Sequence, residues 1–127
     1  MNSLRCLVLL INCLILFGCE EKSVSSEIWT PSKILQIGEF SIADGASDSI
    51  LLVNKGNSKV RIKNYQSDCA CTIPKLSKDW LNPSDSVFLK FDLHPSLPGV
   101  VQQKIIVETN SSSNPKFIFL IRGKAIL

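Results

Sequence analysis

Ser49-Ile50-Leu51-Leu52-Val53-Asn54-Lys55-Gly56-Asn57-Ser58-Lys59-Val60-Arg61-Ile62-Lys63 reads as strand, turn, strand. Ser49 to Val53 is an apolar run closed by Asn54-Lys55-Gly56-Asn57, and Asn and Gly are residues that tolerate positive φ in a tight turn. Beyond it, Lys59, Arg61 and Lys63 alternate with Val60 and Ile62. Side chains of an extended chain point to opposite faces in turn, so one face of this segment is wet and the other packs.

The same grammar continues in both directions. Ile34 to Ile42 alternates imperfectly, and Gly38 predicts a bulge within it. Tyr65 to Ile73 is a strand or bend that carries Cys69 and Cys71. Asn82-Pro83-Ser84-Asp85 precedes Val87 to Leu93, Pro98-Gly99 precedes Val100 to Thr109, and Phe117 to Ile121 leads to Ala125-Ile126-Leu127. No segment has sustained helical periodicity, although Leu76 to Leu81 is compatible with one helical turn. Short strands bounded by Gly, Asn, Asp, Ser and Pro clusters predict an all-β fold, an immunoglobulin-like antiparallel β-sandwich of about seven strands after an N-terminal signal segment. The expected core draws on Phe40, Val53, Val60, Ile62, Phe88 or Phe91, Ile105, Val107, Phe119 and Ile121. Trp80 is expected to pack under the loop leading to Pro83.

The N-terminal part of the 127-residue chain has a different character. Arg5 precedes an apolar run to Phe17, broken only by Asn12, and Leu16-Phe17-Gly18-Cys19 follows directly before Glu20-Glu21-Lys22. The run is shorter than the roughly 20 apolar residues that span a bilayer. It resembles a bacterial lipoprotein signal peptide with a lipobox ending at Cys19. That resemblance implies a signal peptide over residues 1–18, acylation of Cys19, and a lipidated N-terminus with a polar tether over residues 19–32. The sandwich then occupies residues 33–127. Glu20 after the cysteine, where Asp resembles an inner-membrane retention signal, points to the outer membrane of a diderm envelope, facing the periplasm or the surface.

Discarding Cys6 and Cys13 with the signal, and giving Cys19 to lipid, leaves one pair in an oxidising compartment. Cys69 and Cys71 admit four readings: two packed thiols, a local disulfide, a soft-metal site such as Cu(I), or thiol–disulfide exchange. Extended, their Cα atoms would lie about 6.6 Å apart, near the upper limit for a bridge, and a bend at Ala70 would shorten this.

Other chemistry is thin. The net charge of +3 is spread among acids with no basic stripe, which excludes nucleic-acid binding as a class. His94, the single histidine, lies in a loop and is read as solvent-exposed. No Gly-x-Ser-x-Gly elbow supports a hydrolase, and no acid cluster has calcium-loop spacing. The expectation is a protein that is not an enzyme, needs no cofactor, and works as a non-catalytic binding or structural module. Its partners would be a membrane, through acyl chains on Cys19, and an envelope protein or glycan. The alternative is copper binding or thiol redox chemistry at Cys69 and Cys71.

The order Asn54-Lys55-Gly56, Cys69-Ala70-Cys71-Thr72, Leu81-Asn82-Pro83, Gly99, Ile105-Ile-Val-Glu-Thr109-Asn110 and Ile121-Arg122-Gly123 resembles a family of exported bacterial proteins. It is domain of unknown function fifteen-seventy-three, whose members resemble Hydin-type immunoglobulin-like domains. The resemblance covers about residues 35 to 125 and implies a fold and an exported address, not an activity. This chain departs from the pattern at Ala70 and Ser84, where Gly is usual. The first restricts the backbone between the cysteines; the second is expected to cost little.

Overall fold

The computed structural model describes residues 3–4, 18–21 and 23–127. The apolar run behind the signal-segment reading, with Cys6, Cys13, Leu16 and Phe17, lies outside the described residues. Among the described residues the strands are β1 (Ile28–Trp29), β2 (Ile34–Ser41), β3 (Ala46–Asn54), β4 (Val60–Ser67), β5 (Thr72–Leu76), β6 (Trp80–Leu81), β7 (Ser86–Leu93), β8 (Gly99–Thr109) and β9 (Lys116–Ile126). One sheet has the order β1-β3-β7-β5 and the other β2-β9-β8-β4-β6. Pairing is antiparallel throughout except that β2 runs parallel to β9. The chain crosses between the sheets repeatedly, as an immunoglobulin-like sandwich requires.

The core is the single layer between the two sheets. Ile50 and Leu52 of β3, Val87, Leu89, Phe91 and Leu93 of β7, and Ile105, Val107, Phe119 and Ile121 of the facing sheet are all buried. The alternation in β7 settles the choice between its two phenylalanines: Phe91 is inside and Phe88 outside, 52% exposed. Val53 faces outward rather than into the core, because period-two alternation gives the inner positions to Ile50, Leu52 and Asn54. Phe40 is half-buried against the core rather than within it.

Other expectations are corrected by the register. The two additional strands, β1 and β6, are two residues each, too short to leave an alternating pattern. Leu76 to Leu81 is not a helical turn: it ends β5 and enters β6. Phe117 to Ile121 is part of one strand that runs from Lys116 through Gly123 to Ile126, paired with β8 from Lys116 to Ala125. The bulge at Gly38 is present as a register shift between Gln36 and Gly38, with φ of 71° at Gly38.

Candidate functional site

Both ends of the sandwich carry the residues of interest, and β4 runs between them. At one end the chain leaves β4 at Ser67 and enters β5, in the other sheet, at Thr72. Cys69 and Cys71 lie in this crossing and are joined as a disulfide, with Cα atoms 5.2 Å apart. The segment turns rather than extends, which brings the Cα atoms into the ordinary range for a bridge. Thr72 N–H donates to the Cys69 carbonyl at 3.1 Å, closing the turn. Ser67 Oγ accepts the Cys69 N–H at 3.1 Å, and Cys69 Sγ accepts the Cys71 N–H at 3.1 Å.

The turn is also tied to its surroundings. Asp68 N–H donates to the Lys104 carbonyl at 3.1 Å and Asp68 Oδ1 accepts the Lys104 N–H at 2.9 Å. His94 N–H donates to the Cys71 carbonyl at 2.8 Å, so the histidine backbone lies beside the pair. Its imidazole is exposed and lies over Gly45. Among the described residues no group of three or more His, Cys, Asp or Glu side chains is placed to hold a metal ion. A soft ion at this turn would therefore rest on two sulfurs, available only in the reduced pair.

The opposite end is organised by Asn54. This residue is fully buried at the close of β3, and its Nδ2 donates to the carbonyls of Ser58 at 2.8 Å and Leu81 at 2.9 Å. Its Oδ1 accepts the Gly56 N–H at 3.0 Å. Its backbone pairs with the next turn, the N–H to Asp85 O at 2.9 Å and the carbonyl to Ser84 N–H at 2.9 Å. Among the described residues the only non-glycine with positive φ is Ser84, at 70°, so the Asn54 to Asn57 turn does not use the left-handed region expected of it. Asn54 acts there as a side-chain ligand for the backbone, and Gly56 is needed for room. A Cβ on Gly56 would lie 2.5 Å from the Ser25 carbonyl oxygen and 2.8 Å from the Glu27 nitrogen.

That contact revises the tether. The sequence predicts a polar tether over residues 19–32, but from Ser23 onward the chain is fastened to the sandwich. Asn57 Nδ2 donates to the Ser23 carbonyl at 2.8 Å, and Asn57 Oδ1 accepts the Ser25 N–H at 2.7 Å. The Ser25 carbonyl accepts the N–H groups of Asn57 at 3.0 Å and Ser58 at 3.1 Å. Ser111 Oγ donates to the Ser26 carbonyl at 2.6 Å. Ile28, 3% exposed, then seals the edge of the core as β1 pairs with β3. Backbone groups that would otherwise be lost from water are thus satisfied by the domain, which holds the segment down. Cys19 is exposed, and it is the free cysteine among the described residues.

Two aromatic side chains frame this end. Trp29 is 38% exposed with the Lys55 Nζ 4.2 Å from its ring centroid. Trp80 is 41% exposed, not tucked under the loop to Pro83, because Leu81 takes the inward position of β6. Lys59 Nζ lies 4.6 Å and Arg61 Cζ 5.4 Å from its ring centroid. Cation–π contact of this kind keeps a half-exposed indole in place.

Two carboxyls are shifted. Asp85 is held below the usual aspartate value, first by the Asn82 backbone N–H, which donates to its Oδ2 at 3.0 Å, with Lys78 adding to the effect. Asp92 is held down by the Ser47 hydroxyl at 2.7 Å and then by Lys75 at 2.9 Å.

The model of the family described as Protein of unknown function (DUF1573) matches residues 28–125, the family anticipated from the ordered motifs. A search of curated proteins finds no match. Among solved structures, a protein of unknown function from Porphyromonas gingivalis W83 superposes with a TM-score of 0.70 at 15% identity, covering 86% of this chain and 51% of that one. The chain thus spans about half the length of that protein. The ASH/PapD-like domain 7 of human CEP192 gives a TM-score of 0.65 at 16% identity, covering 87% of this chain and 93% of the domain. The CsuC–CsuE chaperone–tip adhesion subunit pre-assembly complex of Acinetobacter baumannii gives 0.51 at 16% identity, covering 80% of this chain and 56% of that one. Likeness at this level of identity shows a shared sandwich fold.

Proposed function

The chain belongs to the DUF1573 family, and from that premise we propose that it is a lipid-anchored, non-catalytic binding or structural module of a diderm envelope. Acyl chains on Cys19 attach it to the membrane, with the outer membrane favoured by Glu20. The observation that carries the reading is the placement of Cys19: exposed, free, and four residues before the chain is fastened to the sandwich at Ser23. Each buried CH₂ of an acyl chain contributes about 0.8 kcal/mol, and more than one chain gives stable attachment.

Binding would use loops or an open sheet edge. The β5 edge is a poor template for an added strand, since Pro74 sits at its centre and has no N–H to offer. The edges at β1 and β6 are two residues long. β2 presents an eight-residue edge interrupted at the Gly38 bulge, and β1 and β6 leave most of the outer edges of β3 and β4 without a paired strand. The similar chaperone–adhesion subunit complex lends a binding role precedent in this fold. Metabolic labelling with an alkyne fatty acid tests the anchor: wild type is labelled and Cys19→Ala is not. Crosslinking in intact cells then tests the binding role. Failure to enrich any protein, glycan or peptidoglycan over an unrelated lipoprotein would reject it.

A second reading is favoured by the disulfide itself. A half-exposed Cys69–Cys71 bridge can accept two electrons and two protons from an exported dithiol and return as two thiols, which then suit exchange or a soft ion. A Cys69→Ser, Cys71→Ser variant that folds and complements a deletion strain would remove this reading.

A further inference from the structure

We propose that the sandwich stands on end on an anionic lipid surface, with the Trp29–Lys55 and Trp80–Lys59 pairs at the headgroup boundary. The inference rests on acylation of Cys19 and goes beyond it, since an anchor alone does not fix how the domain lies.

The first ground is how far the chain can reach between Cys19 and Ser23. Ser23 lies four positions beyond Cys19, and a fully extended chain covers at most about 3.6 Å per residue, so this lead reaches no more than about 14 Å. Beyond Ser23 there is no slack, because Ser23, Ser25 and Ser26 are hydrogen-bonded to Asn57, Ser58 and Ser111. Glu20 and Glu21 border a shallow cleft with Ser23, Ser25 and Asn57, so the lead emerges from this end. An acylated Cys19 then holds this end, not the disulfide end, against the bilayer.

The second ground is what that end presents. Trp29 lies outside one sheet, opposite Val53, and Trp80 outside the other, opposite Arg61. Two indoles on opposite outer faces can meet one flat surface only if the sandwich stands upright, with the Asn54 to Val60 crossing pointing at that surface. Indoles with an apolar body and a polar N–H, flanked by lysines whose stems lie along apolar surface, are the side chains that settle at headgroup depth.

The charges agree with an anionic surface. Asp79 is paired with Arg61 at 3.6 Å and Asp85 with Lys78 at 3.4 Å. Among the described residues Lys55 and Lys59 form no ion pair, which leaves them to headgroup phosphates. Glu20, Glu21 and Glu27 are exposed acids on this end that oppose the attraction. The disulfide turn would project outward, one β4 length away, about 25 Å at 3.3 Å per residue.

The chain has two tryptophans, both in these pairs, so its fluorescence reports this end alone. The acylated protein is reconstituted into phosphatidylethanolamine–phosphatidylglycerol vesicles with and without brominated phospholipid. The expected result is a blue-shifted emission, quenching by bromolipid and loss of acrylamide quenching, retained in Trp29→Phe and in Trp80→Phe. Lys55→Glu with Lys59→Glu should reverse the shift while the protein still floats with the vesicles. Acylated protein that floats, yet keeps full acrylamide quenching and ignores bromolipid, overturns the orientation alone. Protein that carries no acyl group and does not float overturns the anchor and the orientation with it.

Discussion

Asn54 and Leu81, 27 residues apart in sequence, are joined by a 2.9 Å hydrogen bond from a fully buried side-chain amide to a backbone carbonyl. The same amide holds Ser58, and the amide oxygen holds Gly56. One side chain thereby fixes the β3–β4 crossing and the short edge strand beside it. Asn54→Ala removes three hydrogen bonds, two to carbonyls and one from an N–H, and a buried polar group left unpaired costs about 1–3 kcal/mol. Urea unfolding should show a loss of about 2–4 kcal/mol, and a loss below about 1 kcal/mol would contradict the role assigned to Asn54.

Ser84 occupies the third position of the Asn82-Pro83-Ser84-Asp85 turn, closed by a 3.0 Å bond from Asp85 N–H to Asn82 O. Proline second and positive φ third is the pattern of a type II turn, where glycine belongs. The expectation that serine costs little there is revised by its φ of 70°. Ser84→Gly should raise stability by about 0.5–1 kcal/mol, since the left-handed penalty of about 1–2 kcal/mol exceeds the flexibility that glycine adds to the unfolded chain. Thermal unfolding of the two proteins checks the sign.

Gly56→Ala probes the strap. The added methyl meets the Ser25 carbonyl and the Glu27 nitrogen, both backbone atoms that cannot swing away. Residues 23–27 should lift off, so the amides of Asn57 and Ser58, which donate to Ser25, exchange much faster. Unchanged exchange at both amides would show that the strap is not held there.

The disulfide closes a very short loop, so in the chain-entropy account it contributes only about 1–2 kcal/mol. The Cys69→Ser, Cys71→Ser protein should therefore fold, with a small decrease in unfolding midpoint. Loss of folding would mean that the bridge holds the sheet crossing in a way that loop entropy does not describe.

Asp85 and Asp92 have folded values below their unfolded ones. Their contribution is present above the ordinary aspartate value, near pH 4, and fades as pH falls through the lower folded values. Both groups are solvent-exposed, so the effect is modest and weakens in salt. Asp92→Asn should flatten the acid limb of a stability–pH curve and leave the curve between pH 6 and about 8 parallel to wild type.

Much of the architecture is legible in residue order. Alternation in β4 and, imperfectly, in β2, together with apolar runs bounded by turn residues at β3, β7 and β8, marks these strands, and Gly38 marks its bulge, because a strand with one buried face writes that face into every second residue. Alternation does not say which of two phases is inside when both are apolar, and this is why Val53 and Phe88 misled while Ile50, Leu52 and Phe91 fill the core. Two-residue strands such as β1 and β6 carry no period at all. The fastening of Ser23 to Ser26 was invisible for another reason: serines that cap a tether and serines that bond a distant loop look alike until Asn57 and Ser111 are placed beside them. In the sequence Asn54 has the look of a turn former, whereas its amide is a buried structural group, and the nearest signal is its position at the inner phase of β3.

Intact-mass measurement of the protein extracted from membranes, before and after reduction with alkylation, tests the account most directly. The predicted product begins at Cys19, carries acyl mass on that residue, and takes up two alkyl groups only after reductant opens Cys69–Cys71. A full-length or unacylated product would contradict the anchor, and alkylation of Cys69 and Cys71 before reduction would contradict the bridge.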